Sequence, residues 1–186
     1  MAELGEKLQH LLRKQNRVLL AIDGKAASGK TTLARALATT YSGQIISADD
    51  FFLRPEQRTA ERLQEIGGNF DRERFRQEVL SPLKEGRDFS YRPFDCGRKQ
   101  FGEDINIENK GLIIIEGSYC QHPAFGSPYD VTAFLTISRE EQKRRLEQRC
   151  PALLERFLSE WIPMEDAYHK AFSIEKKANF MINTET

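Results

Sequence analysis

Apolar residues recur along the chain with two spacings. Leu4, Leu8, Leu11 and Leu12 fall one helical turn apart, so residues from about Ala2 to Lys14 are expected to form a short helix with one buried stripe. Val18-Leu19-Leu20-Ala21-Ile22 and Leu112-Ile113-Ile114-Ile115 are instead continuous runs, the pattern of strands buried on both faces of a parallel sheet. Gln44-Ile45-Ile46-Ser47, Asp130 to Ile137 and Asn179 to Ile182 read as three further strands. Helical patterns lie between them: Thr32 to Ala38, then a helix carrying Arg139, Arg144, Arg145 and Arg149, then Leu153 to Trp161 ending before Pro163, and Met164 to Phe172. Strands alternating with helices predict an α/β fold on a parallel sheet.

Residues 53–110 interrupt this alternation, a stretch too long for a structureless loop. Arg58 to Ile66 reads as a helix stopping at Gly67-Gly68, and Asp71 as the cap of a second helix through Phe75, Val79 and Leu83, ending near Gly86. Phe89 to Asp95 and Phe101 to Ile107 are expected to pair as a hairpin or irregular ribbon. Aromatic residues here, Tyr91 and Phe94 among them, suit either a pocket for a planar base or the insertion's own small core.

Composition narrows the setting. A chain of 186 residues suits one domain with a substantial core, spanning residues 1–186. Lys plus Arg and Asp plus Glu are 28 each, a balance that argues against bulk binding to nucleic acid or an anionic membrane. Cys96, Cys120 and Cys150 fit neither a zinc pattern nor a disulfide framework, which points to a reducing cytoplasm. The charged, amphipathic start lacks the apolar centre of a signal peptide, and no run approaches the roughly 20 apolar residues of a membrane span. A soluble cytoplasmic protein is expected. The pattern leaves self-association into a homo-oligomer open.

The chemistry begins between the first strand and its helix. Gly24-Lys25-Ala26-Ala27-Ser28-Gly29-Lys30-Thr31 fits G-x-x-x-x-G-K-[ST], the phosphate-binding loop, and Thr32 continues into the helix. The glycines let backbone N–H groups and the positive end of a helix approach a polyphosphate. Lys30 supplies a cation for the β- and γ-phosphates, and the Thr31 hydroxyl is placed to ligate Mg²⁺. Asp23, just before the loop, either touches substrate or caps the turn.

Carboxylates follow at two strand ends, where open α/β sheets carry their ligand chemistry. Asp49 and Asp50 are adjacent in an extended segment, so one of the pair is expected to face the nucleotide. Glu116 ends the Leu112 run and suits a carboxylate that holds Mg²⁺ directly or through water. Arg145 and Arg149 share a helix face on which they can close over the γ-phosphate, although Glu140 to Arg144 and Glu141 to Arg145 are also favourable helical pairs.

In order, the loop, Asp49-Asp50-Phe51-Phe52, Asn69-Phe70-Asp71, Pro93-Phe94-Asp95, Ile115-Glu116-Gly117 and Arg144-Arg145 resemble the uridine kinase and phosphoribulokinase-like P-loop kinases, from Val18 to Ile182. The Asp-Asp-Phe-Phe run is also similar to nicotinamide riboside kinases. The resemblance implies a five-stranded parallel sheet in the order 2-3-1-4-5, an acceptor site built by residues 53–110 and an arginine-bearing lid at 138–151. It implies a catalytic Asp49, a metal-associated Glu116, lid arginines at Arg144, Arg145 and Arg149, and acidic positions near the acceptor's sugar at Asp71 and Asp95. Where uridine kinases have Tyr-Asp-Phe and then a base-reading His, this chain has Phe94-Asp95-Cys96, and Cys150-Pro151 stands in place of the usual Arg-Asp pair.

The function this implies is an ATP- and Mg²⁺-dependent kinase for a hydroxyl of a small molecule, foremost the 5′-hydroxyl of a nucleoside. The alternatives are a non-nucleoside acceptor such as pantothenate or a sugar, and a nucleotide-dependent switch or assembly ATPase. A guanine-reading Asn-Lys-x-Asp is missing, since Asn109-Lys110-Gly111-Leu112 lacks the final acid.

Overall fold

A computed structural model describes residues 2–185. Helix α1 (Ala2–Leu12) buries Leu4 and Leu8. Strand β1 (Arg17–Gly24) leads through the loop into α2 (Lys30–Tyr41), and β2 (Gln44–Ser47) follows. Residues 53–110 hold α3 (Ala60–Gln64), α4 (Arg72–Phe75), α5 (Ser81–Glu85) and four short strands, β3 (Phe89–Tyr91), β4 (Phe94–Asp95), β5 (Gln100–Phe101) and β6 (Ile105–Ile107). The remainder comprises β7 (Gly111–Glu116), β8 (Val131–Thr136), α6 (Arg139–Arg149), α7 (Leu154–Arg156), α8 (Ile162–Phe172), α9 (Ile174–Lys177) and β9 (Phe180–Asn183).

Five strands form one parallel sheet in the order β2-β7-β1-β8-β9. The expected notation 2-3-1-4-5 took the chain to have five strands. The insertion adds four of its own, which stand apart as the pairs β3-β6 and β4-β5.

Alternation across the sheet divides the core. Val18, Leu20, Ile22, Leu112 and Ile114 pack under α1 and α2, whereas Leu19, Ala21, Ile113 and Ile115 face Phe51, Phe70, Phe75 and Tyr168. A third, small cluster joins Ala26 of the loop to Leu146 of α6 and Ile162 of α8. Among the described residues no helix is long and apolar enough to cross a membrane.

The helix expected to end before Pro163 continues through it. Residues 157–161 form a π turn that runs directly into α8, with Pro163 in its first turn. The same arrangement recurs where the π turn at residues 76–80 precedes Pro82. A proline removes one N–H and presses its ring on the carbonyl four residues back, and the wider π turn relieves both. The first helix of the insertion is shorter than its pattern suggested, α3 being preceded by a 3₁₀ turn at Pro55–Gln57.

Candidate active site

The loop turns its amides inward because its carbonyls are held from outside. The carbonyl of Ala26 accepts from Gln142 Nε2 at 3.0 Å, that of Ala27 from Arg145 Nη1 at 3.3 Å, and that of Ser28 from the Thr184 hydroxyl at 2.8 Å. Carbonyl and following N–H point opposite ways in a peptide plane. Among the described residues the N–H groups of Ala27, Gly29, Lys30, Thr31 and Thr32 have no protein acceptor, so they and the start of α2 form an anion cradle. Ala27 itself lies at φ +59°, a left-handed conformation that costs a residue with a Cβ about 1–2 kcal/mol. Gly24, at φ +141°, lies against β8, where a Cβ would come within 2.2 Å of the Leu135 carbonyl. Lys30 Nζ donates to the carbonyls of Gly24 at 2.7 Å and Lys25 at 3.0 Å, leaving one donor for a phosphate.

Glu116 is 4% exposed and accepts from the Thr31 hydroxyl at 3.1 Å. Burial raises its pKa and the charge of Asp49 adds to this, while Lys30 and Thr31 oppose it. Asp49 belongs to the 3₁₀ turn Ala48–Phe51 that follows β2. Gly117 brings the end of β7 against that turn, since a Cβ there would lie 2.8 Å from Ala48 Cβ and 3.4 Å from Asp49 Oδ1. Asp49 is open to solvent across the cleft yet closely surrounded by protein, which raises its pKa against the pull of Lys30 and Arg149. Asp50 points away, accepting from the Tyr91 hydroxyl at 3.1 Å while its carbonyl accepts from Arg74. The adjacent pair therefore divides into one residue for the cleft and one for the insertion.

The fit to Mg²⁺ follows from this crowding. Thr31 and Glu116 present oxygens beside the anion cradle, and the charge of Asp49 raises the proton affinity of Glu116, a crowding that a divalent cation would relieve. Among the described residues no three His, Cys, Asp or Glu side chains form a metal cage. A small ion completed by phosphate oxygens and water needs none.

The three arginines expected in the lid separate. Arg144 pairs with Glu141 at 2.6 Å on the exposed surface, instead of with Glu140. Arg145 joins the same Glu141 at 2.6 Å and also binds the Ala27 and Thr184 carbonyls, so it supports the loop from outside. Arg149, in the last turn of α6, has no ion-pair partner among the described residues, and its charge acts on Asp49.

The residues expected around the acceptor also bond and pack within the structure itself. Asp71 is 1% exposed, capping α4 through Arg74 N at 3.0 Å and accepting from Gln57 at 2.8 Å. Asp95 caps its own turn through the N–H groups of Gly97 at 2.7 Å and Arg98 at 2.9 Å. Tyr91 packs at a tilt against Phe51 of the preceding turn, and Phe94 packs edge-on against Phe101 within the insertion. Asp23 is fully buried, capping Gly24 N at 2.7 Å and accepting from the Tyr168 hydroxyl at 2.8 Å, which settles it as a turn and core residue.

Sequence reasoning passed over Gln142 and Glu165, both buried against the loop. The signal was a charged residue on the apolar stripe of α8, where Ile162, Glu165, Tyr168 and His169 share the inward face.

No family model matches the chain. Among solved structures it is similar to a possible uridine kinase from Bacillus stearothermophilus, with 21% identity, TM-score 0.70, and 97% of this chain and 99% of that one covered. D-glycerate 3-kinase from Cryptococcus neoformans shares 11% identity at TM-score 0.63, covering 97% and 93%. Shikimate kinase from Bacteroides thetaiotaomicron shares 20% identity at TM-score 0.50, covering 90% and 86%. The chain thus has the fold of the P-loop kinases.

Proposed function

We propose that this protein is an ATP- and Mg²⁺-dependent kinase that phosphorylates a hydroxyl of a small molecule. The observation that carries this is Asp49: it lies open to the cleft in reach of Lys30 and Arg149, with Thr31 and Glu116 paired beside it. A hydrolysing ATPase can use such a carboxylate for water, so dependence of turnover on an acceptor is what separates the two.

The free loop amides and Lys30 hold the β- and γ-phosphates. Thr31 and Glu116 would hold Mg²⁺, directly or through water, and the ion would offset phosphate charge. Asp49 orients the acceptor hydroxyl and takes its proton as the oxygen bonds to the γ-phosphorus and the bond to the bridging oxygen breaks. Arg149 neutralises charge on the transferring group, leaving positioning and electrostatics to supply the rate.

The resemblance to uridine kinases favours a nucleoside 5′-hydroxyl as acceptor. One observation favours the other acceptor class. Arg58 donates to the Leu53 carbonyl at 3.1 Å and to Cys96 Sγ at 3.8 Å, has no carboxylate partner among the described residues, and shares the surroundings of Cys96 with Asp49. An unpaired guanidinium there suits a non-nucleoside acceptor with a carboxylate, such as pantothenate. The test is Mg²⁺-dependent ADP release from ATP with uridine, cytidine, nicotinamide riboside, pantothenate and simple sugars beside a control without acceptor. A rise with one acceptor supports the kinase and names its class; release that ignores every acceptor moves the switch reading ahead.

A further inference from the structure

Two side chains that take no part in this reaction grip one residue of the loop. Glu165 Oε2 accepts from Ala26 N–H at 2.9 Å, and its Oε1 accepts from the Ser118 hydroxyl at 2.6 Å. From the opposite side Gln142 Nε2 donates to the Ala26 carbonyl at 3.0 Å. Glu165 is 8% exposed and Gln142 1%, and they come from α8 and α6, far from the loop in sequence. Ser118, two residues beyond Glu116, thereby links the carboxylate end of β7 to the same group.

A carboxylate buried beside a phosphate site is doubly unfavourable, through lost hydration and through repulsion of the anion. Its presence calls for a compensating role, and the backbone supplies one. The residue after Ala26 adopts the left-handed conformation, which a free loop would leave. With the Ala26 amide and carbonyl both fixed, the peptide linking it to Ala27 cannot rotate, and Ala27 N–H is kept pointing into the cradle.

We infer that Glu165 and Gln142 are positioning residues of the nucleotide site, holding the loop in its phosphate-receiving conformation by gripping Ala26 from both sides. The inference rests on the reading of that loop as the ATP site. It assigns Glu165 a task that depends on its hydrogen bonds, because Gln at this position can still accept from Ala26 N–H while donating to Ser118.

The test compares the full-length wild type with Glu165→Ala, Glu165→Gln and Gln142→Ala in ATP titration calorimetry and steady-state kinetics. Glu165→Ala and Gln142→Ala are expected to weaken ATP binding and raise its KM about tenfold or more, with kcat at saturating ATP within about threefold. Glu165→Gln is expected to stay within about threefold of wild type in both. Should Glu165→Ala fail to fold, Gln142→Ala and Glu165→Gln carry the test alone. Wild-type ATP affinity in Gln142→Ala, or a loss in Glu165→Gln as large as in Glu165→Ala, overturns the inference while the nucleotide site stands. A wild type that binds no ATP removes the site reading itself and the inference with it.

Discussion

Thr31 Oγ1 and Glu116 Oε1 lie 3.1 Å apart, so the first turn of α2 and the last residue of β7 share one hydrogen bond. This contact joins the loop motif to the carboxylate 85 residues later, the pair proposed above to hold the cation. Glu116→Gln keeps a hydrogen-bond partner for Thr31 and removes the charge. The Mg²⁺ concentration for half-maximal turnover should rise about tenfold or more, with ATP binding in the absence of metal nearly unchanged. A Mg²⁺ titration of ADP release checks this, and an unaltered midpoint would count against the metal role.

Asp49→Asn retains the shape of the side chain and loses the proton acceptor. Turnover should fall by about 10²–10⁴, with ATP affinity within a few-fold. Single-turnover kinetics beside calorimetry separate the two effects, and unchanged turnover would exclude Asp49 as the base.

The acid limb of the pH profile is expected to follow the same residue. Desolvation by the protein crowded around it raises the Asp49 pKa, and the positive charges of Lys30 and Arg149 pull it back. The ionised form is the active one, so kcat/KM for the acceptor should fall as pH drops through that raised value. Arg149→Ala removes one of the opposing charges, and its acid limb should therefore move to higher pH. Arg144→Ala, which alters an exposed pair with Glu141, should leave the limb where it is.

Gly24→Ala tests the backbone of the loop. A Cβ would meet the Leu135 carbonyl at 2.2 Å in a conformation with φ +141°. Stability should drop by about 2–4 kcal/mol, measured by urea unfolding.

Asp71 carries a structural bond set that can be distinguished from acceptor contact. Asp71→Ala should cost about 1–2 kcal/mol through loss of the α4 cap, and Asp71→Asn much less. An acceptor KM raised tenfold in Asp71→Asn at unchanged stability would add a direct contact to the cap.

The loop and the strands around it could be read from residues 18–32 and 112–116 because they depend on local rules. Close phosphate approach demands glycine and a following helix, and a strand buried on both faces demands an unbroken apolar run. The Asp71 cap and the paired ribbons of the insertion were legible for the same reason. Periodicity could not say which of Asp49 and Asp50 faces the cleft, because the choice is made by Tyr91 and Arg74 drawing Asp50 into the insertion. It likewise put Arg145 and Arg149 on one helix face without separating them, whereas in the fold Arg145 donates to the Ala27 and Thr184 carbonyls and the charge of Arg149 acts on Asp49. The grip of Glu165 and Gln142 on Ala26 spans more than 100 residues in each case, with separations of 139 and 116. The chain by itself determined which groups can bind phosphate and take a proton. Tertiary packing decided which of them are brought together at the cleft, because a buried polar group must find its partner wherever the fold brings one within hydrogen-bond reach.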